Sequence, residues 1–374
     1  MPVKSGNDDN KTETHYWLAL IRAPVGPVHA ARFVRHFGGP AELFDASSDD
    51  WSAAGIPQAL QAALRAVDWA GVEQDLRWLD EPARELITCD DPRYPAALRA
   101  IAQAPLALFC HGDASLLARP QLAIVGARAA SPRGLETAAD FAGELTRRGL
   151  LVSSGLALGI DGAAHRGALD AGGPTIAVCG TGLDRVYPSR HRELAHRIGE
   201  HGVLVSEFPT GVGPLGFNFP RRNRILSGLS LGVLVVEAAM QSGSLVTAKL
   251  ALEQGREVFA IPGSIHQPTS RGVHWLIRNG AKLTENVDDI LEEIAGAAGP
   301  ALRYEPRPPA AAPTLEPAQQ RVLDALGHDV TSFDRLVERL EMPVSSLSAV
   351  LMALELQGRI ASAPGGAFQR LGRN

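Results

Sequence analysis

The sequence predicts an open α/β fold built on a parallel sheet, and three observations point to it. Short, continuously apolar, β-rich runs recur from Gln121 onward. Stretches of helical length separate them, and glycine-containing turns follow most of them. Strands that are apolar throughout belong in a sheet covered on both faces, and helices between successive strands supply the covers.

The runs are 122–125, 150–153, 175–179, 203–206, 231–237 and 257–261. Helices are predicted between them over 134–148, 162–171, 191–201, 221–229 and 244–254, and a helix over 289–295 closes the unit. Before this core, residues 1–14 read as a flexible, solvated tail and 15–85 as a helical module. In that module Trp17, Leu18, Leu20 and Ile21 form one apolar face and Ala30, Ala31, Phe33, Val34 and Phe37 another. The breaks at Pro24-Val25-Gly26-Pro27 and Gly38-Gly39-Pro40 separate helices in the manner of a helix-hairpin-helix. Such a turn either offers amides to a phosphate or serves packing alone. Residues 86–117 connect this module to the sheet, with a turn at Asp91-Pro92-Arg93-Tyr94-Pro95 and a short strand over 106–110, so the α/β domain is taken as 86–298.

Residues 299–316 carry Pro306, Pro308, Pro309 and Pro313 among alanines and read as a semi-extended linker. Beyond it, over 317–374, three apolar helical faces precede two short β-runs turned by Pro364-Gly365-Gly366. Three helices and a hairpin make a winged-helix-like domain. Its third helix has no basic face, which favours a protein-binding or regulatory role over duplex binding.

Hydrophobic residues are 45% and charged residues 21% of the 374, so the bulk is globular. The formal charge is −5, which excludes a generally basic nucleic-acid coat and confines any polyanion site to a local patch. The cysteines Cys89, Cys110 and Cys179 form no paired motif, so neither a disulfide framework nor a metal site is expected. With no secretion signal or membrane span in view, the expected setting is cytoplasmic.

Ligands of parallel α/β sheets bind beyond the C-terminal strand ends. There the sequence places Gly126, Arg128, Ser131 and Gly134 after the first run. Ser154, Gly155, Gly159 and Asp161 follow the second, Gly180 and Gly182 the third, Ser242, Gly243 and Ser244 the fifth, and Pro262, Gly263 and Ser264 the sixth. Glycines let backbone approach a ligand, helix starts offer free amides, and arginine matches phosphate. Each turn alone is an ordinary tight turn; five at successive strand ends suggest a phosphate-binding rim. A second cluster, Phe219, Arg221, Arg222, Asn223 and Arg224, combines rings for base stacking with cations for phosphates. Its three arginines cannot share one helical face, so at least one is expected to have a structural partner.

The succession VGARxxSxxG (125–134), SGxAxGID (154–161), GxGLDxxYP (180–188), SEFPxG (206–211), FPRRNRIxxGLS (219–230), SGSLxTA (242–248) and GREVFAxPG (255–263) resembles the DNA-processing protein A family, also called DprA or Smf. The resemblance is dense over 118–295 and looser outside. It implies an extended Rossmann-like core, a parallel or mixed sheet, with an N-terminal SAM-like module and, as in many members, a C-terminal winged helix. It further implies a homodimer without catalytic activity or cofactor that binds single-stranded DNA, shields it and helps load the RecA recombinase during natural transformation. Arg128 and the loops at Gly126, Gly155, Gly180 and Gly243 fall on the family's basic pocket, and Arg221 to Arg224 on its basic motif. The competing reading is a nucleotide hydrolase on a related fold, using Asp161, Glu207 or Glu237. It lacks the PGGxGTxxE motif that nucleoside-monophosphate phosphoribohydrolases carry.

Overall fold

The computed structural model describes residues 11–298, 315–327 and 329–371. Most of the expected tail and nearly all of the expected linker lie outside the described residues.

The first helices are α1 (Glu13–Arg22), α2 (Pro27–Phe37), α3 (Pro40–Asp45), α4 (Ser48–Ala53), α5 (Gln58–Arg65) and α6 (Trp69–Leu79). Pro27 and Pro40 sit in the first turns of their helices, where a missing N–H costs nothing, and Gly38 ends α2 at φ +90°. Trp17, Leu20, Ala30, Phe33 and Val34 meet in one small core, as their spacing predicts.

The main sheet follows: β1 (Arg84–Thr88), α7 (Ala96–Arg99), β2 (Ala107–Gly112), β3 (Gln121–Val125), α8 (Pro132–Arg147), β4 (Leu151–Ser154), α9 (Ile160–Asp170), β5 (Thr175–Val178), α10 (Arg192–His201), β6 (Val203–Ser206), α11 (Asn218–Leu229), β7 (Gly232–Val235), α12 (Gly243–Glu253), β8 (Glu257–Ala260), α13 (Arg271–Arg278), β9 (Lys282–Leu283) and α14 (Asp288–Ala298). The strand order is β1-β2-β6-β5-β4-β3-β7-β8-β9, parallel from β6 to β9, with β1 and β2 antiparallel at one edge. It is the mixed, Rossmann-like sheet that the sequence suggests. β1 and β9 escape the sequence reading: β1 is a half-exposed edge strand without an apolar run, and β9 has two exposed residues.

β3, β4, β5, β6 and β7 are buried along their whole length. Ile225, Leu226, Ala248, Ala251, Val273 and Leu276 of α11, α12 and α13 join one core cluster with strand residues, and Ala138, Leu145, Ile160, Ala164, Ile290 and Leu291 of α8, α9 and α14 join another. This two-sided cover is why each strand reads as a continuous apolar run.

The helical module is fastened to the sheet domain by a buried bond set. Asp75 is fully buried; its carboxylate accepts from Arg22 Nε at 2.6 Å and from Thr210 backbone N and Oγ1 at 2.9 and 2.7 Å. Thr210 lies in the loop after β6 that runs on to Phe217 and α11, so the module anchors a loop leading into the candidate site.

The last unit contains α15 (Pro317–Leu326), β10 (Thr331–Ser332), α16 (Phe333–Leu340), α17 (Val344–Leu356), β11 (Ile360–Ala363) and β12 (Ala367–Arg370). Its sheet order is β10-β12-β11, around a core of Val322, Leu323, Leu326, Leu336, Leu347, Leu351 and Leu354. It is a winged helix. Among the described residues no helix is long and apolar enough to cross a membrane.

Candidate nucleic-acid interface

From β3 the chain lays down β4, β5 and β6 on one side, then returns to place β7, β8 and β9 on the other. Val125 pairs with Val235 across the β3–β7 seam. The loops leaving β3 and β7 therefore diverge, and they open a crevice of the kind where doubly wound sheets bind ligands. A cleft of about 800 Å³ lies there. Gly126, Arg128, Asp161, Phe219, Arg222, Asn223, Ser242, Gly243 and Ser244 all line it, as do Tyr187, Gln241, Thr247 and Thr269.

Arg128 is exposed, and its guanidinium stands over the Phe219 ring at 5.7 Å from the centroid. Phe219 in turn meets Tyr187, with centroids 5.6 Å apart. Gly180 makes room for this ladder: a Cβ there would stand 2.9 Å from Phe219 Cδ1. Arg128 has no ion-pair partner among the described residues, so its charge is free for an anion at the mouth of the cleft. The start of α12 forms another part of the wall. Ser242 caps it, with its Oγ accepting from Ser244 N at 3.3 Å, and a Cβ added at Gly243 would meet nothing within 4 Å. The positive end of an 11-residue helix thus faces open space in the same cleft as Arg128.

The basic motif on α11 divides. The sequence grouped Arg221, Arg222 and Arg224 as phosphate contacts; the structure gives all three internal partners. Arg222 is buried and donates from Nη1 to the carbonyls of Gly155, at 2.6 Å, and Val178, and from Nε to Asn223 Oδ1 at 3.1 Å. Asp161 accepts from Gly155 N at 3.1 Å and Ala157 N at 3.3 Å. Burial pushes its carboxyl above the usual range, opposed by the attraction of Arg222 and by these amides. Burial likewise draws Arg222 downward. Arg224 is buried against Glu207 at 2.6 Å. Arg221 reaches the same carboxylate at 3.4 Å and lies over Phe208. Arg222 lends the cleft its positive field from below, while Arg224 supports α11 from behind.

Most of the predicted glycines serve chain packing rather than an open surface. A Cβ at Gly126 would meet Ile160 Cγ1 at 2.6 Å, at Gly155 the Arg222 guanidinium at 2.4 Å, and at Gly182 the Pro209 carbonyl at 2.5 Å. Gly159, at φ +79°, holds its turn 2.2 Å, measured from such a Cβ, from the Ala127 oxygen. Gly126 and Gly159 let the β4 turn nest against the Arg128 loop, Gly155 lets it pack on Arg222, and Gly182 lets the β5 turn pack against the loop after β6. Ser154 is buried with its Oγ on Ile124 O at 2.6 Å. Ser131 caps α8 through Gly134 N, and Glu237 accepts from Ser131 N and Oγ at 3.0 and 2.5 Å. Ser131 and Gly134 line a neighbouring hollow instead of the cleft. Tyr187, Gln241, Thr247 and Thr269 were not selected from the sequence. The signal for Tyr187 was present: an aromatic residue shortly after the Gly180–Gly182 turn.

Residues 85–295 match the family described as DNA recombination-mediator protein A, and 306–366 match a DprA winged helix domain. Protein Smf of Escherichia coli is 48% identical over 310 residues, covering 81% of each chain. A putative DNA processing protein DprA of Mycobacterium tuberculosis is 38% identical over 354 residues, 91% of this chain and 86% of that one. The X-ray structure of DNA processing protein A from Streptococcus pneumoniae aligns with a TM-score of 0.67 and 36% identity, over 76% of this chain and 98% of its own. DNA processing protein A of Helicobacter pylori, whose structure was described for its single-stranded DNA binding mode, aligns at 0.52 and 29% identity, over 57% and 97%. With the family match running through every strand of the parallel sheet and through the cleft, the chain belongs to the DNA recombination-mediator protein A family.

Proposed function

We propose that this chain binds single-stranded DNA in the β3–β7 cleft and acts without catalysis, shielding the strand and helping to load the RecA recombinase. One observation carries the reading: Arg128, with no ion-pair partner among the described residues, stands over the Phe219–Tyr187 ladder in the cleft that the open start of α12 also lines. Guanidinium and helix amides meet phosphates, the rings take bases, and neither reads sequence, so preference among bases is weak. The acidic net charge is no obstacle, because convergence at one sheet edge sets the local field.

The carboxylates that a hydrolase would need are already engaged. Asp161 holds two amides, Glu207 holds Arg224 and Arg221, and Glu237 holds Ser131. These bonds favour the binder over the nucleotide-processing alternative. The cleft, the cytoplasmic setting and homodimerisation belong to the same proposal, in which two linked sites raise avidity on long strands. The winged helix is assigned to protein contact: α17 exposes Val344, Met352 and Leu356 and no basic residue.

The test is fluorescence anisotropy of labelled oligo-dT and of its duplex over a salt series. Preference for the single strand with a clear salt slope supports the reading; equal affinity for duplex, or no binding, removes it. Incubation with nucleoside monophosphates and chromatography for released base tests the enzyme reading.

A further inference from the structure

We infer that the strand does not end at the cleft but continues past Tyr187 onto a second phosphate-binding track formed by Arg166, Arg190 and Arg192. This inference rests on the cleft reading above and extends it.

The track starts from the ring ladder. Tyr187 is 45% exposed and stands at the cleft edge against Phe219. Immediately beyond it the chain makes a short 3-10 turn, Ser189–His191, and enters α10 at Arg192. His191 fixes this turn. It is buried, and its Nδ1 bonds the Leu156 carbonyl at 2.9 Å, in the loop that also carries Gly155. The turn packs directly on α9 because residue 162 is glycine. A Cβ at Gly162 would lie 2.6 Å from His191 Cε1 and 3.4 Å from Arg166 Nη1. Arg166 therefore rises beside His191, with Arg190 and Arg192 on either side of that histidine in the chain.

The three arginines are exposed, and none has an ion-pair partner among the described residues. Their neighbours differ: Arg185 pairs with Asp184 at 2.8 Å and Arg197 with Asp170 at 2.8 Å. Glu193 is the one exposed acid between Arg190 and His196. In a chain of net charge −5, a spot that leaves three guanidiniums unneutralised is electrostatically unfavourable when empty and attractive to a polyanion. Its position, continuous with a stacking ladder that starts at Arg128, selects the ligand: further phosphodiesters of the same strand.

The experiment uses the full chain and two oligo-dT lengths, about six nucleotides to occupy the cleft alone and about twenty to extend beyond it. The double variant Arg166→Ala, Arg190→Ala is compared with Arg128→Ala. The double variant is expected to bind the short strand like the parent. On the long strand its salt slope should flatten by about 1.4, two phosphates at about 0.7 each, with affinity down roughly tenfold at moderate salt. Arg128→Ala should weaken both lengths. If the double variant keeps the parent's affinity and slope on the long strand, the track is refuted while the cleft stands. Equal loss on both lengths also overturns it, since the arginines would then act through the cleft or the fold. Failure of the parent to bind either strand refutes the cleft reading and the track together.

Discussion

Arg222 donates from Nη1 to the Gly155 carbonyl at 2.6 Å, and this bond joins α11 to the loop that follows β4. The same nitrogen serves the Val178 carbonyl at the end of β5. One buried guanidinium thus clamps two strand ends.

Removing that clamp should damage the fold before it damages binding. Arg222→Ala takes the guanidinium donor from two carbonyls and removes the main charge that opposes the cost of burying Asp161, a loss on the order of 3–5 kcal/mol in urea denaturation. Arg222→Lys should recover little, because a single ammonium cannot donate at once to these two carbonyls and to Asn223 Oδ1, which Arg222 reaches from Nη1 and Nε. A stable Arg222→Ala protein with normal folding and lost DNA affinity would contradict this assignment and return Arg222 to direct phosphate contact.

Arg128→Ala should do the reverse. The side chain is exposed and has no ion-pair partner among the described residues, so the unfolding free energy in urea should stay within about 0.5 kcal/mol of the parent. Affinity for oligo-dT should fall, and the slope of log K against log salt should flatten by about 0.7 for one lost phosphate. An unchanged slope would mean that Arg128 meets no phosphate.

The glycines of the rim separate packing from ligand approach. Gly180→Ala pushes a methyl into Phe219 and should reduce both stability and binding. Gly243→Ala enters open space at the first turn of a helix and should leave the denaturation midpoint unchanged or slightly higher. Its oligo-dT affinity should nevertheless drop, because the added methyl occupies the place where a phosphate meets the α12 amides. Parent-like binding by Gly243→Ala would place the strand elsewhere.

How much of this was legible in the sequence follows from which forces each residue answers to. The central strands were legible because burial on both faces leaves an unbroken apolar run, and the glycine turns marked their ends. β1 and β9 were not, since an edge strand needs neither. Arg128 and Phe219 were found by residue type and placed together. The partners of Arg222 and Arg224 were not readable: Gly155, Val178 and Glu207 lie 67, 44 and 17 positions away in the chain, and only the folded sheet brings them together. For the same reason Asp75, 135 positions from Thr210, gave no sign of holding the loop before α11.

His165 gives the fold a dependence on pH whose sign is fixed by its surroundings. The ring is fully buried on α9. Thr175 spends its hydroxyl proton on the Val152 carbonyl at 2.7 Å, so at the 2.8 Å contact its oxygen accepts from His165 Nδ1. That assigns the neutral tautomer with the proton on Nδ1 and leaves Nε2 buried with no partner among the described residues. Protonating Nε2 would bury an unpaired charge. Burial above all, then the repulsion of His191, Arg222 and Arg166, draws the pKa from 6.5 down to about 3. The unfolded chain therefore binds a proton that the folded chain refuses throughout the window between these values. Stability attributable to this group is complete above pH 6.5 and declines by about 1.4 kcal/mol per pH unit as acid is added, until the folded pKa is reached. The comparison that isolates it is urea denaturation of the parent and of His165→Gln from pH 7 to pH 5. The variant should be less stable at pH 7, having lost a fitted ring, yet show a slope shallower by about that amount per unit. Parallel curves for the two proteins would mean that His165 is charged in the folded state, contrary to its buried, unpartnered Nε2.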